Sequence, residues 1–480
     1  MAGDPFPSLI IDATGFAAQG AFAESQAEFL DPDPDAVSRL GQALRASNTG
    51  VVAHFYMDAE LQGALYAAAA DWPHVHVSDS LMMADAAITM AEAGVRNVTV
   101  LGVDFMSENV RAMLDAAGHR EVGVYRVSTD PIGCSLAESA EGRAYAAYLA
   151  RAAEVPHALH VVYINTSLRT KAQAHHRVPT VTCTSSNVVR TVLQAFAQDP
   201  EVQIFFGPDT YMGENLANMF RHLAQLDDAA IRAVHPDHDR ASMARVVEQF
   251  QYFEQGNCVV HHMFGGDVVE QVRADYGDAY VTAHLEVPGE MFALGLEAQQ
   301  AGRGVVGSTS NILNFITDRV GAQIERGEAR RLSFVLGTEA GMVTAIVREI
   351  RGMLAEAPDA GVEVEVVFPV ASEAVAATGD VDLPLIPGVQ GGEGCSTAGG
   401  CATCPYMKMN SLDAMMDVLA ELGRDAVHLD IVAAYEPRKY QELVGGRTMA
   451  DLGGEPILHM RAFQREGRLP SALMAAVAGA

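Results

Sequence analysis

Three times along the chain, short apolar runs that close on polar groups give way to stretches of helical periodicity. In the first block VVAHFYM (51–57) is an apolar run ending in polar side chains, as expected at the carboxyl end of a buried parallel strand. HVHVSDSL (74–81) repeats the pattern before the helical stretch MADAAITMAEAG, and NVTVLGVDFMSENVRAML (97–114) reads as strand, glycine turn and helix. The second block offers ALHVVYINTS (158–167), VPTVTCTSSNVVRTVLQ (178–194) and EVQIFFGPDTYMGENLANMF (201–220). The third offers DAYVTAHLEVP (278–288), GRGVVGSTSNILNFI (302–316) and LSFVLGTEAGMVTAIVREI (332–350).

The spacing within the blocks agrees. From a polar strand end to a hydroxyl at a helix start is 26 residues for His54 to Ser80, 22 for Tyr163 to Ser185 and 24 for His284 to Ser308. From that hydroxyl to the glycine turn is 22 residues to Gly102, 22 to Gly207 and 29 to Gly337. Each block predicts a strand with a polar end, an N-capping hydroxyl and a glycine turn. The whole predicts an α/β fold of three similar three-layer αβα domains with parallel sheets, set around a pseudo-threefold axis so that the polar strand ends line one central cavity. Residues 40–133 with 405–450 form the first domain, 134–257 the second, and 258–404 the third with an insertion near 351–390 that holds the strand-like run VEVEVVFPV. Residues 1–39 and 451–480 are read as peripheral extensions, the first as a lead-in helix or tail and the second without a functional signal.

Composition narrows the chemistry. A 51.1 kDa chain with 49% apolar residues and 43 glycines suits a multi-domain α/β protein. No apolar run reads as a membrane span, and MAGDPFPSLI lacks the positive start of an export signal, so a reducing cytoplasm is expected. The net charge of −29, with lysine only at positions 171, 408 and 439, argues against nucleic acid as a partner. An anionic ligand would have to be held by helix N-termini, a few basic groups or a metal.

The six cysteines sharpen this. Cys134 follows the first block, Cys258 the second, and Cys395, Cys401 and Cys404 stand together after the third, while Cys183 reads as a small buried side chain on a strand. Two arrangements stay open on the residues alone. The crowded loop with one further ligand would make a structural zinc site. One cysteine from each block would instead hold a [4Fe–4S] cluster whose fourth iron is an open Lewis acid, able to assist loss of water. His235 and His238, in AVHPDHDRASM (233–243), are read as a solvent-facing loop.

The motifs AHFYM (53–57), SDS (78–80), DPIGCSLAE (130–138), YINTSLRTKA (163–172), TCTSSN (182–187), CVVHHMF (258–264), AHLEVP (283–288), GSTSNI (307–312), GTEAGM (337–342) and CATCPYMKMN (401–410) together resemble the quinolinate synthase family. They stand in that family's order over about residues 50–425. The resemblance implies an iron–sulfur enzyme of NAD biosynthesis that condenses iminoaspartate with dihydroxyacetone phosphate to give quinolinate, phosphate and water. It implies Cys134, Cys258 and Cys404 as ligands of a [4Fe–4S] cluster, with Cys395 and Cys401 outside the ligand set; by its own spacing, Cys401–x–x–Cys404 also suits a reversible disulfide. It further implies a cavity lined by His54, Tyr56, Ser80, Tyr163, Asn165, Ser185, His261, His284, Glu286, Ser308 and Thr309. Among these Glu286 suits a general base, His54 and His284 a proton shuttle, and Tyr163 a donor to a departing oxygen, with Tyr56 counted among the catalytic residues. Whether an L-aspartate oxidase, as the source of iminoaspartate, makes transient contact is left open. A cluster-dependent hydro-lyase acting on another small hydroxy acid is the competing enzyme reading.

Overall fold

The computed structural model describes residues 5–27, 30–256, 258, 260–261, 264–369, 395–396, 400–401, 404–424 and 428–479. The chain divides into two compact units, one of residues 1–103, 121–132 and 259–436, the other of 104–120, 133–258 and 437–480. Among the described residues no helix is long and apolar enough to cross a membrane.

In the first unit the chain opens on a hairpin, β1 (Ser8–Ile11) and β2 (Phe16–Gln19), turned by Asp12, whose Oδ1 accepts from the amides of Thr14 and Gly15. The first sheet follows as β3 (Thr49–His54), β4 (Val75–Ser78), β5 (Asn97–Leu101) and β6 (Gly123–Tyr125), all parallel, in the order β4-β3-β5-β6. The second unit holds β7 (Ala158–Tyr163), β8 (Thr180–Cys183), β9 (Gln203–Gly207) and β10 (Phe250–Tyr252), again parallel, in the order β10-β9-β7-β8. Back in the first unit, β11 (Tyr280–His284), β12 (Gly304–Gly307), β13 (Arg330–Gly337) and β14 (Val362–Val367) run parallel as β12-β11-β13-β14. The hairpin adds to the edge at β14, antiparallel.

Each sheet therefore carries its four block strands in one order, second-first-third-fourth. The sequence spacing reflects a repeated topology, in which the first strand of each block lies inside its sheet and is apolar on both faces. VEVEVV, which looked like a strand inside an insertion, is the fourth strand of the third block, equivalent to β6 and β10. The N-terminal stretch, expected as a lead-in helix or tail, supplies a hairpin as well as the helix Pro34–Ser47.

The core of the second unit is aromatic, with Tyr145, Tyr148, Phe205 and Phe253 buried together. β7 sends His160 into it, fully buried, with Nε2 2.8 Å from the Tyr145 hydroxyl. Burial pushes the imidazole down to about 3, so at neutral pH it is held uncharged. An unfolded histidine titrates near 6.5, so between that value and 3 the unfolded chain takes a proton that the folded chain refuses. Stability is therefore lost as pH falls through this window. Relative to His160→Gln, the wild-type protein is expected to lose about 2 kcal/mol of unfolding free energy between pH 7 and pH 5, measured by urea titration at each pH.

The same unit also holds the end of the chain. The helix Met449–Glu466 packs on the helix Leu168–Arg177 and on β8, and Gly453 lies so close to the Leu168 carbonyl that a Cβ there would collide with it. His235 and His238 are not solvent-facing: both are buried, with ring centroids 4.9 Å apart. His235 Nε2 meets Gln194 Oε1 at 3.2 Å, and His238 Nε2 donates to the Leu193 carbonyl at 2.8 Å. They brace the helix Val188–Gln198, and their nitrogens serve separate partners.

Candidate active site

The first strand of each block ends on the polar residue picked out in the sequence: β3 on His54, β7 on Tyr163, β11 on His284. The next amide in each case bonds to the neighbouring strand, Phe55 N–H to Ser78 O at 3.0 Å, Ile164 N–H to Cys183 O at 2.9 Å and Leu285 N–H to Gly307 O at 3.1 Å. Tyr56, Asn165 and Glu286 consequently sit just past the strand, in the turn or bend that follows it. Such carboxyl ends are where open parallel sheets offer side chains to ligands.

In the first unit these ends converge. His54 Nδ1 accepts the Tyr56 amide at 3.2 Å and His284 Nδ1 accepts the Glu286 amide at 3.3 Å. Each imidazole is buried, and burial lowers each to about 4, against the pull of Glu286 in the other direction. Both rings are neutral near pH 7, and an occupied Nδ1 leaves the proton on Nε2, so each can donate from there. His261 stacks on His284 with centroids 5.1 Å apart, and its Nδ1 lies 3.2 Å from Glu286 Oε2. That approach is out of line, so among the described residues neither ring nitrogen of His261 has an aligned hydrogen bond although the ring is buried. Tyr56 is half-buried, with its hydroxyl 3.3 Å from Thr338 Oγ1 and its ring edge-on to His54. Its backbone is pinned by Gly341, where a Cβ would come within 2.6 Å of the Tyr56 Cα.

The hydroxyls differ from expectation in detail. Ser308 does cap its helix, donating to Asn311 Oδ1 at 2.8 Å while accepting the Asn311 amide, with Thr309 next to it as the first helical residue. Ser80 is not a cap: Asp79 takes the amides of Leu81 and Met82, and Ser80 is the first helical residue. Ser185 likewise precedes its cap, Asn187, by two residues and is half-buried. The carboxamide of Asn187 instead accepts the Thr184 amide at 2.9 Å.

Cys404 is half-buried in the first unit, and its amide donates to Glu339 Oε1 at 2.6 Å. Burial holds the Glu339 carboxyl well above the carboxylate range, with the Cys404 amide pulling down and Glu286 pushing further up. Asn410, wholly buried, ties the same segment to both the amide and the carbonyl of Gly102 at the end of β5. Glu339 went unrecognised in the sequence although GTEAGM was singled out; its place two residues past the end of β13 was the available signal. The second unit carries Cys134, half-buried in extended backbone before the helix Ser135–Ala140, together with Cys258 and the half-buried Asn165. Tyr163 there is buried, and its carbonyl accepts the Thr166 hydroxyl. Cys183 is fully buried as expected. Cys395–Ser396 pairs antiparallel with Gly400–Cys401, but the side chains of Cys395 and Cys401 lie outside the described residues.

The donors fit a thiolate-bound metal. The three cysteines picked as ligands are half-buried where Cys183 is sealed, and His261, three residues after Cys258, keeps unaligned nitrogens beside a buried carboxylate. Repeated parallel sheets whose strand ends gather imidazoles and carboxyls define an α/β protein suited to acid–base chemistry on a small polar molecule. The family described as Quinolinate synthetase A protein matches residues 38–439. A chloroplastic quinolinate synthase of Nicotiana tabacum is 53% identical over 98% of this chain and 66% of its own length. One of Arabidopsis thaliana is 52% identical over 98% and 67%. The quinolinate synthase of Methanocaldococcus jannaschii is 26% identical over 66% of this chain and 80% of its own. The chain belongs to the quinolinate synthetase A family, and it spans about two thirds of the length of its plant relatives.

Proposed function

We propose that the protein is a quinolinate synthase, condensing iminoaspartate with dihydroxyacetone phosphate to quinolinate with loss of phosphate and two waters. The observation that carries this reading is the strand-end cluster of His54, His284, His261 and Glu286, in a chain of this family. Cys134, Cys258 and Cys404 would hold a [4Fe–4S] cluster, which supplies an open Lewis-acidic iron without net redox change. The pseudo-threefold placement of the three sheets around one cavity belongs to the same proposal, and the shared strand order supports it.

The chain's own residues divide the remaining work. Closing the ring requires a C–H proton to leave and hydroxyl groups to depart as water. Glu286 is the base for the C–H proton. His54 and His284 donate from Nε2 to the departing oxygen, since their Nδ1 atoms are taken by backbone amides. Tyr56 and Tyr163 add hydroxyl donors, and Asn165 orients the carboxylates. Ser80, Ser185 and Thr309 stand at or beside helix starts and give an anion a place without lysine, which the acidic chain otherwise repels. Ser308 joins them only by releasing Asn311. A cytoplasmic setting suits the thiols, although the plant relatives are named chloroplastic. Iminoaspartate hydrolyses readily, so transient delivery by an L-aspartate oxidase fits this chemistry.

Anaerobically purified, iron-replete protein given iminoaspartate and dihydroxyacetone phosphate is expected to release quinolinate and inorganic phosphate in equal amounts. Phosphate release without quinolinate, or no reaction at all, would overturn the proposal.

A further inference from the structure

The turns that follow β3 and β7 are held from inside in the same way. In the first unit Gln62 Nε2 lies 2.8 Å from the carbonyl oxygens of Phe55 and Met57, the first and third residues after His54, and equally close to that of Gly341. In the second unit Lys171 Nζ donates to the carbonyls of Ile164, at 3.1 Å, and of Thr166, the first and third residues after Tyr163. Each donor stands eight residues past the end of its strand, on the helix that follows, and each is wholly buried. The third block has Phe292 in that place, also buried but with no donor to give.

Burying an amide costs least when its hydrogen bonds are made, and Gln62 makes those of its nitrogen while Oε1 has no partner among the described residues; burying an ammonium demands more. Desolvation lowers Lys171 to about 7, opposed by Glu108. Glu108 is itself engaged, accepting the Leu168 amide at 3.0 Å and the Tyr440 hydroxyl at 2.8 Å. Phe292 shows that an apolar side chain can fill such a position, so packing alone does not call for lysine or glutamine there. What the two share is one buried nitrogen within hydrogen-bond reach of both carbonyls of the turn that carries Tyr56 or Asn165, although Gln62 divides its two N–H groups between that turn and the Gly341 carbonyl.

We propose that Lys171 and Gln62 are equivalent positioning residues: each gathers the carbonyls of its strand-end turn and thereby sets Tyr163 with Asn165, or His54 with Tyr56, toward the reacting molecule. The inference rests on the proposed function, in which those four side chains meet substrate.

Lys171→Met and Lys171→Gln test it, each read by hydrogen exchange over residues 163–168 and by steady-state kinetics at matched iron content. Lys171→Met is expected to expose the turn amides to faster exchange and to lower kcat about 100-fold, with a smaller change in KM. Lys171→Gln is expected to restore both readouts to within about threefold, because Gln62 shows that an amide reaches the same carbonyls from this position. Tyr163→Phe should cost less in the Lys171→Met background than in wild type, since both changes act on one side chain. Wild-type exchange and kcat in a folded Lys171→Met protein, or additive costs with Tyr163→Phe, would overturn the proposal. Should Lys171→Met fail to fold, Gln62→Met carries the same readouts over residues 54–57. If wild-type protein makes no quinolinate the proposed function falls, while the exchange measurements still decide whether the turns are held this way.

Discussion

Glu286→Gln is expected to lower kcat by about 10³-fold while leaving iron content and unfolding midpoint close to wild type. The size follows from the proposed role of Glu286 and from what its neighbours His54, His284 and Glu339 can do. His54 and His284 are neutral, yet each has spent its Nδ1 lone pair on a backbone amide and carries its proton on Nε2. They can donate a proton before they can accept one. Glu339 is held well above the carboxylate range by burial and is already occupied by the Cys404 amide. In the proposed reaction Glu286 is the group cast as base, placed past the end of β11 with its own amide on His284. Glutamine keeps its shape and its backbone bond but cannot take a proton. The check is single-turnover kinetics at saturating substrate on protein of measured iron content; a kcat within tenfold of wild type would remove Glu286 as the base.

The same region shows what a sequence discloses and what it withholds. The strand-helix blocks were legible because a parallel strand inside a sheet is apolar on both faces and must end in a polar turn, which leaves a marked break at His54, Tyr163 and His284. The fourth strands leave a weaker mark: GVY and FQY have three residues each, too short for a period, and VEVEVV alternates like an edge strand and reads as inserted sequence. The hairpin at Ser8–Gln19 leaves no mark in the sequence because its strands are four residues long and β1 joins the sheet by pairing with β14, a contact across more than 350 residues. Ser80 and Ser185 were read as caps because hydroxyls favour that position, yet Asp79 and Asn187 stand close by and take it.

Burial was the least legible property. His235, His238 and His160 are polar letters in the sequence, and only the partners supplied by distant segments make their interior positions tolerable. Gln62 and Lys171 look like ordinary polar residues on helices, and their shared offset from a strand end has meaning only once the strand ends are known.

Cys134→Ser, Cys258→Ser and Cys404→Ser are each expected to yield anaerobic protein that has lost the bulk of its iron and sulfide and makes no quinolinate, whereas Cys183→Ser keeps both. A cluster held by three thiolates has no spare protein ligand, and a serine hydroxyl is a harder donor that stays protonated near pH 7. Cys183 differs in kind: it is sealed at the end of β8, and burial pushes its thiol far above the range in which a thiolate forms. Serine there puts an additional hydroxyl in the core, at a cost of about 1–3 kcal/mol in stability, and leaves metal content unchanged. Iron and acid-labile sulfide per chain, together with the visible absorption of the cluster, measure this without reference to turnover. Full iron content in any one of the three ligand variants would exclude that cysteine, and zinc in place of iron and sulfide in wild-type protein would exclude the cluster itself.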